Sequence, residues 1–274
     1  MTTRILVAGD TGANPKHWPL LCQAAAANNC SAIYQVGDTG YSEADAFGRE
    51  YAAGISDLAI RNNIQIAFID GNHEAHQELW SKCQNAPRSP EGFQQIHPGL
   101  FYIPRGHSWT VEDVRFLGLG GAYSVDKAER LRIEKTTGRP GTMWSPLEEL
   151  TDVDVALAKA QGQVDIMLTH DKPRSTNPGC NFKSESACWH NHDRVSEVMQ
   201  TAAPELLLHG HLHFPYQDHV RVGEYGDWCH VISLESDEIG SRNRPYDSRN
   251  SWLVLELHEG TFKIAVVPPA LIES

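Results

Sequence analysis

The chain has 274 residues, enough to bury a sizeable core, and 41% of them are hydrophobic. A formal net charge of -12, from 35 acidic against 23 basic side chains, excludes a protein that holds nucleic acid on an extended basic face. No segment approaches the ~20 apolar residues of a membrane helix, the apolar run in MTTRILVAGD is too short for a signal peptide, and the six cysteines (Cys22, Cys30, Cys83, Cys180, Cys188, Cys229) form no C-x-x-C pair, so a cytoplasmic protein with reduced thiols is expected.

In chain order, ILVAG ends a strand at Asp10, and Trp18 to Asn28 carries an Ala-rich helical pattern. AIYQVG ends a second strand at Asp38, and Glu43 to Arg61 again reads as helix. IQIAFIDG runs to Asn72, with a third helix expected to start near Glu74. This alternation predicts a parallel α/β core with right-handed crossovers. From Leu100 to Tyr123 the period shortens, and LFYIP, HSWTV and VRFLGLGG predict antiparallel strands around turns. VDIMLTHD ends a strand at His170, ELLLHGHLH ends another at His211 and His213, and WCHVISLE, SWLVLEL and FKIAVV close the chain as β-structure. Without a repeat or a linker, a single domain over residues 1–274 is expected.

Asp-Thr-Gly occurs twice, at Asp10 and at Asp38. Two such carboxylates could form an aspartic-protease dyad that shares a proton, or corners of a metal site. The separation, 38 − 10 = 28 residues, is one βαβ unit and leaves almost no room for the all-β lobe that each protease carboxylate needs. In open α/β sheets ligands bind beyond the carboxyl ends of the strands, and here those ends offer Asp10, Asp38, Asn72, His170, His211 and His213. Such mixed oxygen and imidazole ligands suit Mn²⁺, Fe²⁺, Zn²⁺ or Ni²⁺, and a carboxylate such as Asp38 can bridge two ions.

Asp10-Thr11-Gly12, Gly37-Asp38, Gly71-Asn72-His73-Glu74, His170 and Gly210-His211-Leu212-His213 follow in the order D-x-H, G-D, G-N-H-[DE], H, G-H-x-H. The chain thereby resembles the calcineurin-like metallophosphoesterases from Val7 to His213, and GGAYSVD and LTHDKP resemble the small phosphoesterases of actinobacteria and their phages. The resemblance implies a four-layer α/β/β/α sandwich with a divalent-metal centre of one or two ions, Mn²⁺ first among them. Asp10, Asp38 and His213 would hold the first ion, and Asp38, Asn72, His170 and His211 the second. It also implies in-line attack on a phosphate ester by a metal-bound hydroxide, with His73 protonating the leaving oxygen. Gly12 stands where the family has the histidine of D-x-H, so the first corner lacks a ligand that water or His17 could replace; a histidine opening a helix more often lies on the surface.

Gly37-Asp38 is followed by Thr-Gly-Tyr-Ser and not by the Asp-Arg-Gly of the protein phosphatases, which favours a phosphodiesterase, and the resemblance to the actinobacterial and phage enzymes implies nucleotide diesters such as cyclic nucleotides as substrates. A phosphomonoesterase, a nuclease like the lariat-debranching enzymes that share GNHEA, and a degenerate nucleotide- or protein-binding member are the alternatives. Lys127, Arg130, Arg132, Lys135 and Arg139 offer either a phosphate clamp or a solvated helix face. Asp171 to Arg194, with His190 and His192, is expected to form a polar, mobile rim over the site.

Overall fold

The computed structural model describes residues 2–138, 143–178, 185–236 and 248–272. Its elements are β1 (Thr3–Ala8), α1 (His17–Ala27), β2 (Ala32–Gln35), α2 (Ala46–Asn62), β3 (Gln65–Phe68), α3 (His76–Cys83), β4 (Gln94–His97), β5 (Leu100–Tyr102), β6 (His107–Val111), β7 (Val114–Leu119), α4 (Lys127–Thr137), α5 (Asp152–Lys159), β8 (Ile166–Thr169), α6 (Glu185–Ala202), β9 (Leu206–His209), β10 (Tyr216–Val222), β11 (Asp227–Ser233), β12 (Trp252–His258), β13 (Thr261–Val266) and α7 (Pro269–Ile272). They build two mixed sheets, ordered β13-β12-β1-β2-β3-β5-β4 and β10-β11-β9-β8-β7-β6. Parallel pairing joins β1, β2, β3 and β5 in one sheet and β7, β8, β9 and β11 in the other.

The period-2 geometry of a strand sorts β1 residue by residue. Ile5 and Val7 enter the core between the sheets, with Tyr34, Phe116, Ile166, Leu208 and Ile232. Leu6 and Ala8 face the opposite way, onto Trp18, Leu21 and Ala25 of α1 and Tyr51 and Ile55 of α2. A third core packs α5 and α6 on the outer face of the second sheet, through Val155, Val195, Val198 and Met199. Three apolar layers between four secondary-structure layers make the α/β/β/α sandwich, and explain why β1 to β3 read as nearly continuous apolar runs. Each fully buried Leu, Ile or Val here contributes roughly 1.5–3 kcal/mol.

Two expectations from the sequence are corrected. LFYIP does not pair with HSWTV: β5 lies parallel to β3 and antiparallel to β4 in the first sheet, while the β6–β7 hairpin starts the second. Pro104 has no N–H to extend the ladder and Gly106 turns at φ 72°, so the chain changes sheets between them. Nor do the described residues of the stretch from Asp171 to Arg194, 171–178 and 185–194, form a polar rim throughout. Asp171 and Lys172 are fully buried, and His190 and His192 lie on α6, the latter 3% exposed. Cys188, Asn191, His192, Val195, Val198, Met199 and Ala202 form one buried helical stripe, in which two polar residues disguise the period. Cys180 and Arg139 lie outside the described residues.

Candidate metal centre

Each candidate ligand sits just past the carboxyl end of a parallel strand: Asp10 after β1, Asp38 after β2, Asn72 after β3, His170 after β8, and His211 and His213 after β9. The two Asp-Thr-Gly stretches lie against each other. The N–H groups of Thr11 and Gly12 donate to the Asp38 carbonyl at 3.1 and 2.9 Å, and that of Ala13 to the Thr39 carbonyl at 3.3 Å. Asp38, His211 and His213 adopt φ of 56°, 66° and 51°. That left-handed region costs a residue with a Cβ about 1–2 kcal/mol, and such strain concentrates at functional sites. Close approach also fixes two glycines: a Cβ on Gly210 would strike Asp10 Oδ1, and one on Gly71 would strike Asp38.

Two sets of ligand atoms converge to within 4.8 Å of one another, Asp38 with His170 and His211, and Asp10 with Asp38 and His213. Asp38 belongs to both. In the first set His170 Nε2 stands 3.2 Å from Asp38 Oδ1 and 3.3 Å from Asn72 Oδ1. His170 Nδ1 donates to the Val36 carbonyl at 2.7 Å, which leaves Nε2 as the nitrogen that could ligate an ion. Asn72 Nδ2 donates to Ser124 Oγ at 3.0 Å, turning the amide oxygen toward His170. In the second set His213 Nε2 is 2.9 Å from Asp10 Oδ2, and the His211 N–H donates to Asp10 Oδ1 at 3.0 Å.

The electrostatics fit a cation. Burial by itself would lower the His170 pKa, yet the carboxylates of Asp38 and Asp10 outweigh it and raise it to about 10. Burial would likewise raise that of Asp38, but His170, His73 and His211 hold it well below the usual carboxylate range. A pocket that draws a proton onto a fully buried imidazole has the potential to hold a divalent ion. Hard carboxylate and amide oxygens combined with imidazole suit first-row divalent metals.

Around these residues lies a supporting layer whose role the sequence did not show. Glu74 accepts from the Gly40 and Gly71 N–H groups, tying the loop after β3 to that after β2, and burial next to Asp38 raises its pKa. Asp70 is fully buried, accepts from Arg105 and from Tyr102 Oη at 2.9 Å, and stands 3.2 Å from His76 Nε2. Arg105 in turn donates to the Leu147, Glu148 and Glu149 carbonyls. Behind His170, Asp171 pairs with His192 at 3.0 Å and accepts from Asn191 at 2.7 Å. The signal was present in the residue types, but carboxylates far apart in sequence show no partner until the chain folds. His17 is not on the surface: it is 2% exposed, with Nε2 3.3 Å from Ser251 Oγ, and belongs to neither ligand set.

His73, half exposed, stands 3.9 Å from Asp38 Oδ2 and 2.9 Å from Arg130 Nη2. Of the basic residues on α4, Arg130 alone among those described reaches the centre. Lys127 pairs with Glu149 and covers the Trp144 ring, Arg132 pairs with Glu129 one turn back, and Lys135 is exposed. Asn72, His73 and Arg130 open onto a cavity of ≈ 1260 Å³ between α3 and residues 143–148.

The family model described as calcineurin-like phosphoesterase matches residues 3–215. A dimetal phosphatase from Danio rerio superposes with a TM-score of 0.58 at 12% identity, over 96% of this chain and 95% of its own. A Thermus thermophilus protein gives a TM-score of 0.49 at 14% identity, over 97% and 99% of the two chains. Phosphopantetheinyl hydrolase from Mycobacterium tuberculosis gives 0.46 at 18% identity, over 90% and 95%. No curated protein matches the sequence at a significant level. The family match over residues 3–215, on a fold shared with the Danio rerio structure, shows that the chain belongs to the calcineurin-like phosphoesterases and is a metal-dependent hydrolase of phosphate esters.

Proposed function

We propose that the chain is a phosphodiesterase for nucleotide diesters such as cyclic nucleotides, working with Mn²⁺ as a single domain in the cytoplasm. The observation that carries this reading is the convergence of Asp10, Asp38, His170, His211 and His213 beside His73 and its cavity. Asp10, Asp38 and His213 would hold one ion, and Asp38, Asn72, His170 and His211 a second. Bound ions would lower the pKa of a water and neutralise charge on the phosphoryl oxygens. Asp38, facing both ligand sets, fixes the spacing between them, while Asn72 and Ser124 orient the amide oxygen. His73 would protonate the leaving oxygen once its Nε2, which accepts from Arg130 Nη2 at 2.9 Å, is released, and its half-exposed ring lies where a leaving group can meet it. Free thiols at all five described cysteines support the cytoplasmic assignment, and among the described residues no helix is long and apolar enough to cross a membrane.

One observation favours a second reading. Gly12, at φ 52°, leaves the Asp10 corner a ligand short, as a non-catalytic binding member would. The test is hydrolysis of bis-p-nitrophenyl phosphate beside p-nitrophenyl phosphate, with chelator-stripped protein and added Mn²⁺. Metal-dependent cleavage of the diester above the monoester supports the phosphodiesterase; silence on both with every divalent ion supports the binding member.

A further inference from the structure

Arg130 is 8% exposed, and its guanidinium is aimed rather than loose. Nε pairs with Asp126 at 2.8 Å one turn back on α4, Nη1 donates to the Met143 carbonyl at 3.3 Å, and Nη2 donates to His73 Nε2 at 2.9 Å. A guanidinium can only donate, so His73 Nε2 accepts, and in this arrangement that nitrogen has no proton to offer a leaving oxygen. The contact must therefore be exchanged for another before His73 can act.

We propose that Arg130 is a substrate-binding residue: when a phosphate ester enters, its Nη edge leaves His73 for a non-bridging phosphoryl oxygen, and the ester's organic group occupies the cavity bounded by Met143 and Trp144. This rests on the phosphoesterase reading of the same centre. An anionic phosphoryl oxygen is a better acceptor for a guanidinium than a neutral imidazole, because both charge and fork geometry match. The exchange needs only a side-chain movement, since Asp126 and Met143 anchor the other side of the guanidinium. It also frees the lone pair of His73 Nε2, which on a half-exposed ring takes a proton from solvent water and then passes it to the leaving oxygen, so that binding and leaving-group protonation are tied to one side chain. Among the described residues, the other Lys or Arg lining the cavity, Lys82, is committed to Glu43. The ligand class that follows is an ester with one phosphoryl group at the metals and an uncharged, partly apolar substituent facing Met143 and Trp144, rather than a chain of further phosphates.

The test compares wild type, Arg130→Ala and Arg130→Lys on bis-p-nitrophenyl phosphate with Mn²⁺, with and without added guanidinium chloride at millimolar concentration. Arg130→Ala is expected to lower kcat/KM about 10²-fold, the typical loss of one charge-stabilising donor, with metal stoichiometry by calorimetry unchanged. Arg130→Lys should recover part of the loss, and free guanidinium should raise the activity of Arg130→Ala but not of wild type. Arg130→Ala within twofold of wild type overturns the proposal, as does a loss that neither lysine nor guanidinium restores. If wild type itself cleaves nothing, the phosphoesterase reading fails instead, and calorimetry with orthophosphate on the Mn²⁺-loaded protein decides: equal affinity in wild type and Arg130→Ala overturns the role of Arg130, and weaker affinity in the variant supports it.

Discussion

The two halves of the candidate centre differ in how completely the protein has built them. The half around His170 is the more heavily braced: His170 is fully buried, its ring is held by Val36, Asn72 is held by Ser124, and Asp171 with His192 lies directly behind. The half around Asp10 is wetter and thinner. His213 keeps 39% of its side chain exposed, and Gly12 contributes only a backbone N–H, spent on the Asp38 carbonyl. Ligands locked by burial and by outer hydrogen bonds bind without first being ordered, so the His170 half should hold its ion more tightly.

The largest effect expected is on chemistry rather than on metal. His73→Ala should lower turnover ~10²–10⁴-fold while calorimetry finds the same metal content, because His73 belongs to neither ligand set; unchanged turnover would remove the leaving-group role. The comparison of the two halves is sharpened by Mn²⁺ titration of two variants. His170→Ala should abolish the tighter binding step, and His213→Ala should weaken only the looser one, by at least the ~10–100-fold that losing an outer partner of a ligand costs. A uniform loss in both variants would mean that the halves bind as one unit.

A smaller effect concerns stability. Burial lowers the His17 pKa from 6.5 to about 4, so the unfolded chain binds the proton more readily than the folded one. The contribution of neutral His17 is complete above pH 6.5 and is lost as pH falls toward 4, on the order of 3 kcal/mol in all. Urea unfolding of wild type against His17→Gln should show a steeper fall between pH 6.5 and 4.5 in wild type; parallel curves would contradict it. Gly12→His should change least. It supplies the missing imidazole, but at φ 52° a side chain there carries about 1–2 kcal/mol of backbone strain, offsetting much of any gain in Mn²⁺ affinity. A large tightening by calorimetry would show that the loop relaxes around the new residue.

Strand ends were legible because each apolar run stops abruptly at a polar ligand-type residue, as ILVAG does at Asp10 and VDIMLT at His170. Helix α6 was not, because Asn191 and His192 interrupt its apolar stripe with side chains whose partner, Asp171, lies 20 residues before the first of them. The exchange of LFYIP between sheets escaped for a similar reason. A three-residue strand has the same pattern whichever neighbour it joins, and its pairing with β3 depends on residues more than 30 positions earlier.

The sequence by itself determined the chemical inventory and its order: six ligand-type side chains and His73, each at the close of a strand or in the turn after it, together with the family motif they compose. This is local information, carried by period and by residue type. The tertiary structure alone decided that His17 is buried, that Arg130 rather than Lys127 or Arg132 reaches His73, and that one half of the centre is more heavily braced than the other. Those are properties of distance and dielectric between residues remote in the chain, and they come into being only when two sheets bury a common core and bring their strand ends together.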